Sequence, residues 1–163
     1  MPCAMDSVSR LRADHRDVDP LATAKRFLVS VLSLTSLIVG GVAYVAWRPH
    51  SLYLFTWLEI LGLENLVILV RHYLGDADIT RWLLWSAPSG LWAFSGALAM
   101  RVLWWKTWSL QAWCWSVVIP LSGIASELGQ LAGIPGTFDP VDLGAYVVGC
   151  LLAALVVFVL ETK

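Results

Sequence analysis

Charge is what this chain lacks most. Only 14% of its 163 residues are Asp, Glu, Lys or Arg, against about a quarter in an ordinary soluble domain. So few charges cannot solvate a globular surface, which excludes a compact soluble enzyme. With a net charge of −1, a basic nucleic-acid binder is excluded as well. Cysteine is also scarce. Cys3, Cys114 and Cys150 form neither a pairing framework nor a C-x-x-C, so a disulfide-stapled secreted module is ruled out. His15, His50 and His72 lack metal-ligand spacing, and neither a metal nor a cofactor is expected. No phosphate-binding loop, nucleophile elbow or zinc-protease helix occurs. Apolar residues, by contrast, are abundant at 58%, and mean hydropathy is +0.71. The expected solvent for most of the chain is lipid.

The expected fold is therefore an all-α integral membrane bundle. A polar tail, residues 1–25, precedes a single membrane domain, 26–163. A span takes about 20 apolar residues. Four stretches qualify: Phe27–Trp47, Leu83–Leu103, Trp108–Ser126 and Leu143–Leu160. The first is too long, and its leader too polar, for a cleaved signal peptide. Lys106-Thr107 joins the second and third spans as a tight hairpin. Ser51–Tyr73 is apolar too, but Glu59, Glu64 and Asn65 interrupt it. An amphipathic helix lying at the interface fits that pattern. With the N-terminus inside, eight of the eleven Lys and Arg fall on the cytoplasmic side, as the positive-inside rule requires. The expected location is a bacterial cytoplasmic membrane, both termini cytoplasmic. Trp47, Trp82 and Trp85 at the outer boundary, and Trp104, Trp105 and Trp108 at the inner one, read as aromatic belts. Ser89, Ala93 and Ala97, and again Ala145, Gly149 and Ala153, recur every fourth residue, a spacing that lets helix backbones approach closely.

The carboxylates are the one constellation left to explain. Glu127 and Gln130, three apart, share a helix face. From Trp108 to Glu127 is 19 residues, roughly 28 Å of helix, so Glu127 falls at the outer edge of the hydrocarbon. An ionisable group there is a functional candidate, with snorkelling to water as the plain alternative. Asp139-Pro140 reads as a helix cap with proline at the first helical position, and Asp142 favours the positive end of the same helix. The short connection 131–139 returns the fourth span beside the third, bringing Asp142 close to Gln130. Two carboxylates brought together need a cation. The candidates are Arg81, entering the second span, and Arg71 on the interfacial helix. The expected site is Glu127, Gln130, Asp142 and Arg81, flanked by Asp139 and Arg71.

Glu127-x-x-Gln130, then Asp142, then Gly149 seven residues on, resembles the C-terminal signature of the VanZ-like membrane protein family. The entry to the second span, Ser86-Ala87-Pro88-Ser89-Gly90-Leu91-Trp92, is similar to one in uncharacterised relatives of that family. The resemblance covers roughly residues 82–160. Gly136-Thr137 stand where the family carries an Arg, and Tyr146 where it carries an Asn. The resemblance implies a multi-pass bacterial envelope protein near lipid-linked wall material. Two functions follow as expectations. One is an outer polar cluster that binds a lipid, glycolipid or partner without catalysis. The other is an intramembrane enzyme acting on a lipid-linked substrate, with Glu127 as general base.

Overall fold

A computed structural model describes residues 19–50, 52–74, 81–107, 109–133 and 138–161, and of 81–84 the backbone alone. Among these residues the protein is all-α, with six helices and no strand: α1 Pro20–Trp47, α2 Tyr53–Ile60, α3 Glu64–Leu74, α4 Arg81–Leu103, α5 Leu110–Leu131 and α6 Pro140–Glu161. Two helices open on the same device. The Asp19 carboxylate accepts from the Leu21 N–H at 3.0 Å ahead of Pro20, and the Asp139 carboxylate accepts from the Val141 N–H at 2.8 Å ahead of Pro140. Each satisfies a donor that a helix start leaves orphaned, while proline supplies the helical φ without needing a partner. Residues 20–25, the end of the expected tail 1–25, already belong to α1.

Where one interfacial helix is expected over 51–73, the chain makes two. Gly62 sits at φ +71, a conformation glycine adopts without strain. Its N–H donates to the Glu59 carbonyl at 2.9 Å and the Leu63 N–H to the Leu58 carbonyl at 2.9 Å. This paired closure ends α2 and lets α3 leave in a new direction.

The helix α4 is the centre of the bundle, packed by α1, α5 and α6. Against α1 it runs antiparallel: Trp92 lies on Gly40, Ser95 on Ser33, and Leu98 in one apolar core with Val29. The Ser33 hydroxyl donates to the Ser95 carbonyl at 2.9 Å and the Ser95 hydroxyl to the Ser33 carbonyl at 2.8 Å. Against α6 it runs parallel. The two small-residue stripes meet here, with Ser89, Ala93, Gly149 and Ala153 all buried. A Cβ on Gly149 would lie 2.2 Å from the Gly90 carbonyl oxygen, so these backbones touch directly.

Two of the described helices, α1 and α6, are long and apolar enough to cross a membrane; α4 and α5 are not apolar enough by that measure. For α4 the reason lies in its packing. A helix enclosed by neighbours needs small residues and interhelical hydrogen bonds more than it needs apolar bulk. In α4, Ser86, Ser89, Gly90, Ser95 and Gly96 fill that role, and its described large apolar residues are enclosed except Trp85 and Leu103. The outer helices are the reverse: Leu34 and Ile38 on α1, and Leu151, Leu155 and Phe158 on α6, are exposed.

Candidate functional site

Pro49 forces its predecessor out of helical conformation, so α1 ends at Trp47 and Arg48 is extended, at φ −77 and ψ 150. That geometry throws the Arg48 side chain off the helix end and across to α6. Its Nη2 donates to Asp142 Oδ2 at 2.5 Å, with the Asp142 side chain 5% exposed. Arg71 holds the same helix end from α3. Its Nε donates to the Val45 carbonyl at 3.0 Å and its Nη2 to the Arg48 carbonyl, answering acceptors that a helix C-terminus leaves open. Burial lowers the Arg71 pKa from its ordinary value, and a guanidinium stays charged at neutral pH all the same.

Glu127 comes from α5, buried to 6% exposure. It accepts two long hydrogen bonds of 3.4 Å each, from the Gln130 side-chain amide and from the Asp139 backbone N–H. Arg48, Asp142 and Asp139 all lie within electrostatic reach of it. Tyr146 joins α6 to both neighbours: its phenol lies beside Ser89 of α4, and its ring fills the notch that Gly123 leaves in α5. Tyr44, one turn before Arg48, stacks on Trp92 with centroids 5.1 Å apart. The cluster is not self-satisfied. Asp142 Oδ1, Gln130 Oε1, Arg48 Nε and Ser86 Oγ are buried without a hydrogen-bond partner among the described residues. Each such group costs about 1–3 kcal/mol relative to a satisfied one. Acceptors and donors are both present, the chemistry of a site that can hold a polar group.

A second ion pair sits at the far end of α6. Arg101 grips Glu161 with two bonds, Nε to Oε1 at 2.8 Å and Nη2 to Oε2 at 2.6 Å, while its Nη1 donates to the Thr107 carbonyl at 3.1 Å. The side chains are 10% and 7% exposed. Its carboxylate has a planar fork as partner, and its role is to tie the α4 and α6 ends together.

The structure brings part of the expected site together and adds Arg48 to it. Glu127, Gln130, Asp139 and Asp142 converge. The partner of Asp142 is Arg48, a residue outside the expected site. Arg71 supports Arg48 from behind. The Arg81 side chain lies outside the described residues. Asp142 is no mere cap, since Asp139 already serves the α6 start. The signal for Arg48 was present as the one charge closing the first apolar run, directly before a proline. Among the described residues no group of three His, Cys, Asp or Glu is arranged to hold a metal. No known protein family, curated protein or solved structure matches this chain.

Proposed function

We propose that this chain is a multi-pass membrane protein of the bacterial envelope, VanZ-like in type, whose polar cluster binds the headgroup of a lipid, glycolipid or lipid-linked partner. In this reading α1, α4, α5 and α6 all cross the bilayer, both termini are cytoplasmic, and α2 and α3 dip from the outer interface against the outer half of α1. The observation that carries it is the spacing of the two polar layers. Asp142, paired to Arg48, and Glu161, paired to Arg101, are 19 residues apart on α6, about 28 Å along the helix. A bilayer's hydrocarbon core is about 30 Å thick. Between them α6 carries no charge and presents exposed Leu and Val side chains, a surface suited to lipid and prone to aggregation in water.

Binding is favoured over catalysis because the buried Asp142 Oδ1, Gln130 Oε1 and Arg48 Nε lack partners among the described residues, and a polar headgroup would answer them without any reaction. The test is lipid identification by mass spectrometry on the chain purified in nanodiscs of its host's lipids, wild type beside Asp142→Asn. Enrichment of one lipid class by the wild type, lost in the variant, is expected. Identical lipid profiles, with both proteins folded, refute the reading. A reporter fused after Lys163 tests the topology: activity outside the cell overturns four crossings with both ends inside.

A further inference from the structure

Beneath α2 and α3 runs an apolar groove that meets the polar cluster only at Arg71, with a volume of about 480 Å³. Its walls are Leu37, Gly41 and Val45 of α1, Leu58 of α2, and Leu66 and Val70 of α3. The wall residues Leu37 and Leu66 are 50% and 52% exposed, so the groove is open along its side. Arg71 closes one end: it follows Val70 in sequence and donates to the carbonyl of Val45. From Leu37 to Val45 is eight residues, about 12 Å along α1. One leaflet's share of the hydrocarbon is about 15 Å. In the membrane reading proposed above, on which this inference rests, the groove runs from the outer boundary down through most of that leaflet.

Its course and lining select an occupant. The walls are apolar and follow α1 down one leaflet, the path of an acyl chain. At the closed end Arg71 supplies fixed positive charge. Carbonyls occupy two of its five N–H donors, and a guanidinium is well suited to phosphate oxygens. We infer that this groove is a phospholipid site, with one acyl chain between α1 and α3 and the headgroup phosphate at Arg71. Gly41 gives it room: a Cβ there would meet no atom within 4 Å. Its neighbour Gly40 is different, since a Cβ there would lie 2.8 Å from the Trp92 ring. The two adjacent glycines thus serve separate purposes, one for helix packing and one for the groove.

The test fills the groove without disturbing the core. The whole chain, purified in detergent, is mixed with phosphatidylglycerol or with diacylglycerol of the same chains, and bound lipid is read by native mass spectrometry. The wild type is expected to retain one phosphatidylglycerol in preference to diacylglycerol. Gly41→Leu, and Leu66→Trp from the opposite wall as an independent filling, are each expected to lower retention about tenfold, the effect of losing roughly 1.4 kcal/mol. Helical content and elution volume confirm that the variants fold. Unchanged retention in both filled variants overturns the site. So does a wild-type dimer that Gly41→Leu converts to monomer, which would assign the face to a second copy. Equal retention of the two lipids removes the phosphate from Arg71. Asp142→Asn separates this inference from the function proposed above: it leaves the phosphatidylglycerol adduct intact if the groove holds it, and loses it if the polar cluster does.

Discussion

A single methyl group at Gly149 tests the central seam of this fold. Its Cβ would stand 2.2 Å from the Gly90 carbonyl oxygen, 3.1 Å from the carbonyl carbon and 3.2 Å from the Phe94 nitrogen. Every one of these is backbone, so no side chain can swing aside. Ordinary contact begins at 3.4 Å, so α4 and α6 must part by 3.4 − 2.2, or about 1.2 Å. A gap of 0.5–1 Å already forfeits about a quarter to a half of the dispersion energy of each touching pair. In a membrane that energy, with hydrogen bonding, is most of what holds helices together. Overpacking of this kind costs about 1–3 kcal/mol, and we expect Gly149→Ala to lie near 2 kcal/mol, a fall in Tm of about 4–8 °C on the scale for a chain of this size. Gly144, five residues earlier on the same helix, has nothing within 4 Å of its would-be Cβ. There alanine is expected to be neutral or to stabilise by up to about 1 kcal/mol, the ordinary helix propensity gain. Thermal unfolding of both variants in one detergent, followed by loss of the native elution peak, provides the comparison. A Gly149→Ala protein that melts with the wild type, or above it, refutes the direct backbone contact of α4 with α6.

Three further outcomes follow from the polar contacts. Asp142→Asn leaves the Arg48 guanidinium without its partner at a half-buried site and should cost about 3 kcal/mol, whereas the double variant Arg48→Met, Asp142→Leu should recover most of it, because removing both charges is cheaper than orphaning one; a double variant as unstable as the single one contradicts the pairing. Glu161→Gln should destabilise by about 3 kcal/mol through the buried Arg101 fork, read by the same thermal assay, and a shift under 1 °C would mean the pair is worth nothing. Ser33→Ala and Ser95→Ala should each cost about 0.6–1 kcal/mol, with the double variant well short of the sum because the two hydroxyls form one reciprocal pair; strict additivity in a thermodynamic cycle argues against it.

Much of the architecture is legible in the residues. Runs such as 143–160 are long and apolar enough to be read as helices without any partner in view. Asp139-Pro140 announces its helix because capping is local chemistry, and Asp19-Pro20 carries the same signature seven residues ahead of the apolar run that draws the eye. The small-residue stripes were readable as a seam, since a four-residue period is a property of one helix alone. Gly62 was not: the pattern of Ser51–Tyr73 is amphipathic throughout, and only the positive φ shows that the chain breaks there.

The site divides along the same line. The sequence by itself determined that Glu127 and Gln130 share a face, that Asp139 caps, and that Asp142 follows it onto the same helix, because those relations depend on spacing within one element. Tertiary structure alone decided which cation answers Asp142. Arg48 lies 94 residues away, and nothing in the spacing links it to α6. The link comes from three things acting together: Pro49 turning Arg48 out of the helix, Arg71 bracing that end, and α4 packing both α1 and α6. Tertiary structure also sorted the helices by solvent. The enclosed α4 carries serines and glycines at its helix contacts, while the exposed faces of α1 and α6 carry leucine, isoleucine and valine.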